Sequence, residues 1–230
     1  MAGLIASAPG VCFPAAHRLP GGTRALPRIG LGDAQVAALA VLVPLLGCGE
    51  EAAALAFDGL AGLERDPVAA ATLRTIGAEE REHDALLTSL LDVLPTIAEA
   101  TTLQQAARRF HVRLGIGRPA AHLGRIAAID AAVCTVLARL LRPGNPLAQD
   151  TVTARMFGRI HRDEARHVRV SRGLATARLA RAELDDLAAG ARMALADILL
   201  LAGGAFETLG VDAQALHRDL ANVPNGLFAP

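Results

Sequence analysis

The sequence contains neither tryptophan nor tyrosine, and its 6 phenylalanines make up the whole aromatic content, 3% of residues. That removes most of the platforms on which nucleobases stack, and with them any tyrosyl-radical chemistry. Neither sign of charge is in excess: 23 basic residues face 23 acidic ones, so no electrostatic footprint for nucleic acid and no charged tail is present. Cysteine is scarce. Cys12, Cys48 and Cys134 are far apart and form no CxxC pair, which argues against a thiolate metal site. An odd, dispersed set also predicts no disulfide framework and fits a reducing cytoplasm. The longest apolar windows, 35–48 and 193–206, contain Pro44 and Asp197 and fall short of the roughly 20 residues a spanning helix needs. The opening "MAGLIASAPG" has no basic n-region, so no signal peptide is expected. These absences together predict a soluble, cytoplasmic protein with neither nucleic acid nor membrane as partner.

What remains is a chain of 230 residues, 52% of them hydrophobic, long enough for one well-cored domain. Residues 1–31 hold Pro9, Pro14, Pro20 and Pro27 without sustained periodicity and read as an irregular arm. Residues 32–230 read as a single domain. They are rich in Ala, Leu, Arg and Glu and lack strand-like alternation, which predicts an all-α fold. Asp33 is placed to cap a helix running to about Leu63, with Pro44, Gly47 and Gly49 predicting a kink or break. Asp66-Pro67 opens a second helix to about Leu94, and Thr102 with Gln105 resembles a capping box for a shorter one over 102–115. Arg118-Pro119 starts another long helix that ends at "RPGNP". A fourth long helix is expected over 147–179 and a fifth over 181–207.

Bundle helices bury positions alternately three and four apart. The first helix keeps that spacing through Val36, Leu39, Val43, Leu46, Glu50, Ala53, Phe57 and Leu60, with Glu50 its one charged member. In the second, Leu73, Ile76, Leu87 and Leu90 are interrupted by Glu80 and His83. In the third long helix Leu123, Ile126, Val133, Leu137 and Leu140 are interrupted by Asp130. In the fourth, Phe157, Ile160, Ser171 and Leu174 are interrupted by Glu164 and His167. Unpaired carboxylates in an apolar interior cost several kcal/mol or are forced to protonate. Two divalent cations resolve this, since four carboxylates and two neutral imidazoles around two M(II) ions sum to zero charge. A Glu and a His at i and i+3 share a helical face, so each ExxH holds one metal while Glu50 and Asp130 bridge or terminate the pair. Glu51, beside Glu50, instead falls in register with Asp58 and Arg65 at seven-residue intervals and is assigned to a solvated stripe. Glu79, Glu82 and Asp163 are read as solvent-facing groups or as orienters of an imidazole. His17, His111, His122 and His217 lack a partner spacing and are taken as ordinary histidines. A faint duplication accompanies the pattern: Glu50 to Glu80 spans 30 residues and Asp130 to Glu164 spans 34.

The order lone carboxylate, ExxH, lone carboxylate, ExxH over residues 50–167 resembles the ferritin-like di-iron carboxylate superfamily, and "DEARHV" at 163–168 further resembles its arylamine N-oxygenase branch. "DExRH" also recurs in the acyl carrier protein desaturases. Phe57, seven residues past Glu50, falls where many members keep an aromatic. The resemblance implies a four-helix bundle with additional helices and a centre of two iron ions, or manganese, held by Glu50, Glu80, His83, Asp130, Glu164 and His167. It departs in using Asp130 where Glu is usual, in having Ile160 where the N-oxygenase branch carries a further His, with His161 one place off, and in its shorter chain. The implied activity is an O2-dependent oxygenase acting on a small organic substrate by hydroxylation, N-oxygenation or oxidative desaturation. Phe57, Val133, Cys134, Leu137 and Ser171 are the expected pocket residues. No cysteine cluster supplies electrons, so an external donor, a small reductant or the substrate itself is implied, with the protein a monomer or homodimer. The alternatives are ferritin- or rubrerythrin-like iron oxidation, storage or peroxide scavenging, and a metal-free bundle that binds a partner.

Overall fold

The computed structural model describes Cys12, Phe13, residues 26–222 and Phe228. Most of the arm assigned to residues 1–31 therefore lies outside the described residues. Cys12, Phe13 and residues 26–31 are not helical. The chain is all-α, with no strand among the described residues. Its helices are α1 (Asp33–Leu63), α2 (Pro67–Leu91), α3 (Ala98–Leu114), α4 (Pro119–Leu140), α5 (Pro146–Gln149), α6 (Thr151–Thr176), α7 (Arg181–Leu200), α8 (Gly203–Thr208) and α9 (Ala213–Ala221).

Local chemistry accounts for the boundaries. Asp66 caps α2 by accepting from the Val68 amide, with Pro67 at the first helical position, and Arg118-Pro119 opens α4. The expected helix over 147–179 is divided. Asp150 turns out of helix and accepts the Thr153 amide at 2.8 Å, so a short α5 precedes α6. The expected helix over 181–207 is likewise divided, α7 ending at Leu200 and α8 starting at Gly203, and a further helix, α9, follows beyond it, capped by Asp212, whose carboxylate accepts the Ala215 amide. Gly210, at φ 81, makes the turn between α8 and α9. α3 starts four residues before Thr102, at Ala98, without a side-chain cap.

α1 differs from expectation in two ways. It runs unbroken through Pro44, because packing against α2, α3 and α8 on its flanks holds it across the one missing backbone donor. Being unbroken, it is long and apolar enough to cross a membrane by length and composition, with mean hydropathy 1.7 over its most apolar window. Over half of that window, 56%, is buried within the protein.

α1 packs along α2, and α4 along α6; α2 meets α6 and α1 meets α4. Gly77 permits the first pairing, since a Cβ there would lie 2.8 Å from Asp58 Oδ1 and 3.4 Å from the Ala54 carbonyl. The apolar core divides into two clusters. One gathers Val43, Leu87, Leu137, Phe157 and Ile160; the other gathers Phe57, Ile76, Leu123, Ile126 and Ala175. In all four helices the chain crosses from one cluster to the other at the residues that interrupt its seam. α1 and α6 run in one sense and α2 and α4 in the other, so the interruptions come level between two apolar layers.

Candidate metal centre

Glu50, Glu80, His83, Asp130, Glu164 and His167 are all buried, none more than 7% exposed. Burial follows from the seams, since each occupies a core position on its helix, with apolar seam residues flanking Glu50, Asp130 and the Glu80–His83 pair, and Ile160 preceding the Glu164–His167 pair. Ligand atoms of Glu50, Glu80, His83 and Glu164 lie within 4.8 Å of one another, a group able to hold a metal ion. The Nδ1 of His83 is 3.2 Å from Glu50, 3.3 Å from Glu80 and 3.5 Å from Glu164. The Nδ1 of His167 is 2.9 Å from Glu80 and 3.6 Å from Glu164. The two imidazoles stand 5.9 Å apart. Glu80 and Glu164 are thus shared between both rings, while Glu50 stands on the His83 side. Asp130 and His167 fall outside the four-residue group, although Asp130 is within electrostatic reach of Glu80, Glu164 and His167.

The outer nitrogens are held crosswise. His83 Nε2, on α2, is 3.1 Å from Asp163 on α6; His167 Nε2, on α6, is 2.9 Å from Glu79 on α2. Arg166 bridges these carboxylates, 2.8 Å from Glu79 and 3.3 Å from Asp163. Each carboxylate immediately precedes an ExxH glutamate and orients the ring of the opposite motif, turning Nδ1 inward. Glu82 is exposed and ion-paired with Arg159.

The charges are mutually adjusted. Burial pushes the Glu50 and Asp130 carboxyls well above the carboxylate range, against the pull of His83 on the first and with Glu164 and Glu80 adding repulsion on the second. For Glu80 burial acts upward too, but hydrogen bonds with His167 and His83 outweigh it and hold the group at about 2. Burial alone would lower both imidazoles. Carboxylate partners reverse that, raising His83 strongly and His167 to about 11. Asp130 Oδ2 has no hydrogen-bond partner, and Glu80 Oε2 and His167 Nδ1 have close contacts, 3.3 Å to His83 and 2.9 Å to Glu80, whose directions are poor for a hydrogen bond, so all three inward atoms are left without a well-directed one. Buried polar atoms are rarely orphaned, and these three belong to residues whose oxygen and nitrogen donors suit iron, manganese or zinc. The donor set fits a metal.

Beside the carboxylates lies a cavity of about 310 Å³ bounded by α1, α3, α4 and α7. Glu50, Glu80, Asp130 and Glu164 line its inner end, Ile129, Val133, Leu195 and Ile198 its walls. Of the five expected pocket residues only Val133 lines it. Phe57 is fully buried and packs edge-on to His167 with centroids 6.2 Å apart, a wall of the centre and not of the cavity. Leu137 belongs to the apolar core, and Ser171 is fully buried with its hydroxyl unpartnered. Cys134 is a half-buried thiol raised to about 12 by burial and by Glu164 and Asp130. The expectation failed for these because one turn along a helix places a residue beside the next seam position, whereas the cavity opens on the flank facing α3.

Three corrections concern residues near the site. Glu51 is not on a solvated stripe: it is 1% exposed and accepts the amides of Cys12 at 2.9 Å and Phe13 at 2.6 Å, while Asp58 and Arg65 are exposed as expected. Cys12 and Cys48 form a disulfide, so the cysteine count no longer argues for a reducing compartment. His111 and His122 line the cavity, as does Phe13. The sequence carried no signal for that pair, which meets across the turn between α3 and α4 and shares no helical face. No protein-family model, curated protein or solved structure matches the chain.

Proposed function

We propose that the protein is a non-haem di-metal oxygenase, with iron in preference to manganese, built on a ferritin-like four-helix arrangement of α1, α2, α4 and α6. The observation that carries this reading is the juxtaposition of a buried Glu/His cluster with an apolar cavity whose inner end is lined by its carboxylates. Glu80 and Glu164, lying between the two imidazoles, would hold the metals together with Glu50, His83, Asp130 and His167. An Fe(II) pair held there would supply electrons to O2.

The chain's own part is to hold, orient and exclude. Asp163 and Glu79 fix both imidazoles with Nδ1 inward, and Phe57 closes the far side against His167. Ile129, Val133, Leu195 and Ile198 keep water from the inner end of the cavity and place a small organic substrate beside the carboxylates. Electrons come from a separate donor, a small reductant or the substrate. Iron storage or simple ferrous oxidation requires no enclosed apolar chamber, so the cavity favours the oxygenase reading over an iron-handling one.

Anaerobic reconstitution with Fe(II), metal counting and exposure to O2 with absorption followed in time test the proposal. Two metals per chain and a new absorption band on oxygenation are expected. A metal-free protein, or one whose bound iron stays unchanged in O2, would rule it out.

A further inference from the structure

The cavity that ends at the carboxylates has a second polar feature at its outer end. His111, at the end of α3, and His122, at the start of α4, both line it and are half-buried, whereas the carboxylates at the inner end are buried. Val112, 56% exposed, marks the side open to solvent. Neither imidazole makes a hydrogen bond among the described residues, so their ring nitrogens are available to a molecule in the cavity. Across from them α1 presents Gly49, where an added Cβ would lie 3.7 Å from His111 Nε2, so the helix backbone itself forms the wall. No arginine is among the described residues that line the cavity, and the chain has no lysine.

From this geometry we infer that the cavity binds an uncharged, mainly apolar molecule bearing one hydrogen-bonding group, which His111 and His122 hold at the outer end while its apolar end lies against the carboxylates. This rests on the di-metal reading in one respect, since the bound cations neutralise the inner end that would otherwise favour a cationic ligand. The class follows from exclusion and fit. An anion would find no arginine or lysine among the described lining residues to pair with, and an inner end that is neutral overall once the cations are bound offers it no net attraction. A hydrocarbon would leave the two imidazoles unmatched once water is displaced. Burial pushes both imidazoles down to about 4, keeping them neutral donors and acceptors near neutral pH. At about 30 Å³ per non-hydrogen atom, the liquid-water figure, the 310 Å³ admits on the order of ten such atoms.

Binding of three matched probes to the iron-loaded protein, measured by calorimetry, tests the inference: para-propylphenol, para-propyltoluene and para-propylbenzoate. The phenol should bind on the order of tenfold more tightly than the toluene, as one recovered hydrogen bond implies, and the benzoate should not bind detectably. In His111→Phe and His122→Phe proteins the preference for the phenol should shrink while toluene binding persists. Gly49→Leu, which fills the cavity, should abolish binding of both. Benzoate binding as tightly as the phenol, a phenol preference intact in both histidine variants, or no binding by any probe overturns the inference. Metal counting on the same preparations separates the failures. Two metals with the wrong probe order sinks this inference alone, whereas absence of metal sinks the proposed function whatever the probes do.

Discussion

Glu50 and Glu51 are chemically identical neighbours on α1 with opposite duties. Glu50 faces His83 at 3.2 Å inside the cluster; Glu51, about 100° round the helix, receives the amides of Cys12 and Phe13. Glu50→Ala should remove one metal from the stoichiometry measured by Fe(II) titration. Glu51→Ala should leave that count unchanged but lower stability by about 1–3 kcal/mol in chemical denaturation, since it strands one buried and one partly buried amide donor. Equal loss of metal in both variants would refute the division. The outer carboxylates make a second prediction: Asp163→Ala and Glu79→Ala should each weaken metal affinity roughly 10–100-fold, read by competition with a chelator. Glu50, Glu80, His83, Asp130, Glu164 and His167 were legible because a charged residue at a seam position is improbable by itself. Glu51 was not, because its partners are backbone amides of an irregular segment that leaves no periodic mark.

Helix periodicity carried most of the architecture, and where it failed a cap was responsible. Asp150 divides α5 from α6 by accepting the Thr153 amide, and the same carboxylate accepts the Gly30 amide at 2.7 Å, tying the segment before α1 to the start of α6. The expectation of an unbroken helix overlooked that an aspartate inside a helical run is itself a start signal. At Pro44, where a kink or a break was expected, no break occurs, because tertiary packing holds the helix across a local breaker. Cys12 and Phe13 are held by the Glu51 carboxylate, and Cys12 also by the bridge to Cys48, which spans 36 residues. Closing a loop of that size constrains the unfolded chain by roughly 3–4 kcal/mol in the chain-entropy treatment. Cys12→Ser should therefore lower Tm by several degrees, and a reducing agent should lower the wild-type Tm by the same amount without affecting the variant. A wild-type Tm indifferent to reductant would contradict the bridge.

For the molecule as a whole, acid should expose the cost of its buried imidazoles. His111 and His122 are held near 4 when folded, principally by burial, whereas an unfolded histidine titrates near 6.5. Between those values the unfolded chain takes up protons that the folded chain refuses, so this stability is present above about 6.5 and is lost as pH falls toward 4. Glu50 and Asp130, raised by burial, act in the opposite sense, so the comparison must be between variants. In metal-free protein, the fall in Tm from pH 7 to pH 5 should be smaller for His111→Phe than for wild type by a few degrees, on the order of 1–2 kcal/mol. Identical pH profiles would mean that His111 is not held neutral by the fold.

The crosswise pairing of Asp163 with His83 and of Glu79 with His167 makes the two hairpins mutually dependent. A peptide comprising only α1 and α2 would retain Glu50, Glu80 and His83, yet the carboxylate that aims His83 belongs to the other half, and the converse holds for α4 with α6. Neither half holds the carboxylate that orients its own imidazole, so a slip of one turn between α2 and α6 would misdirect both rings at once.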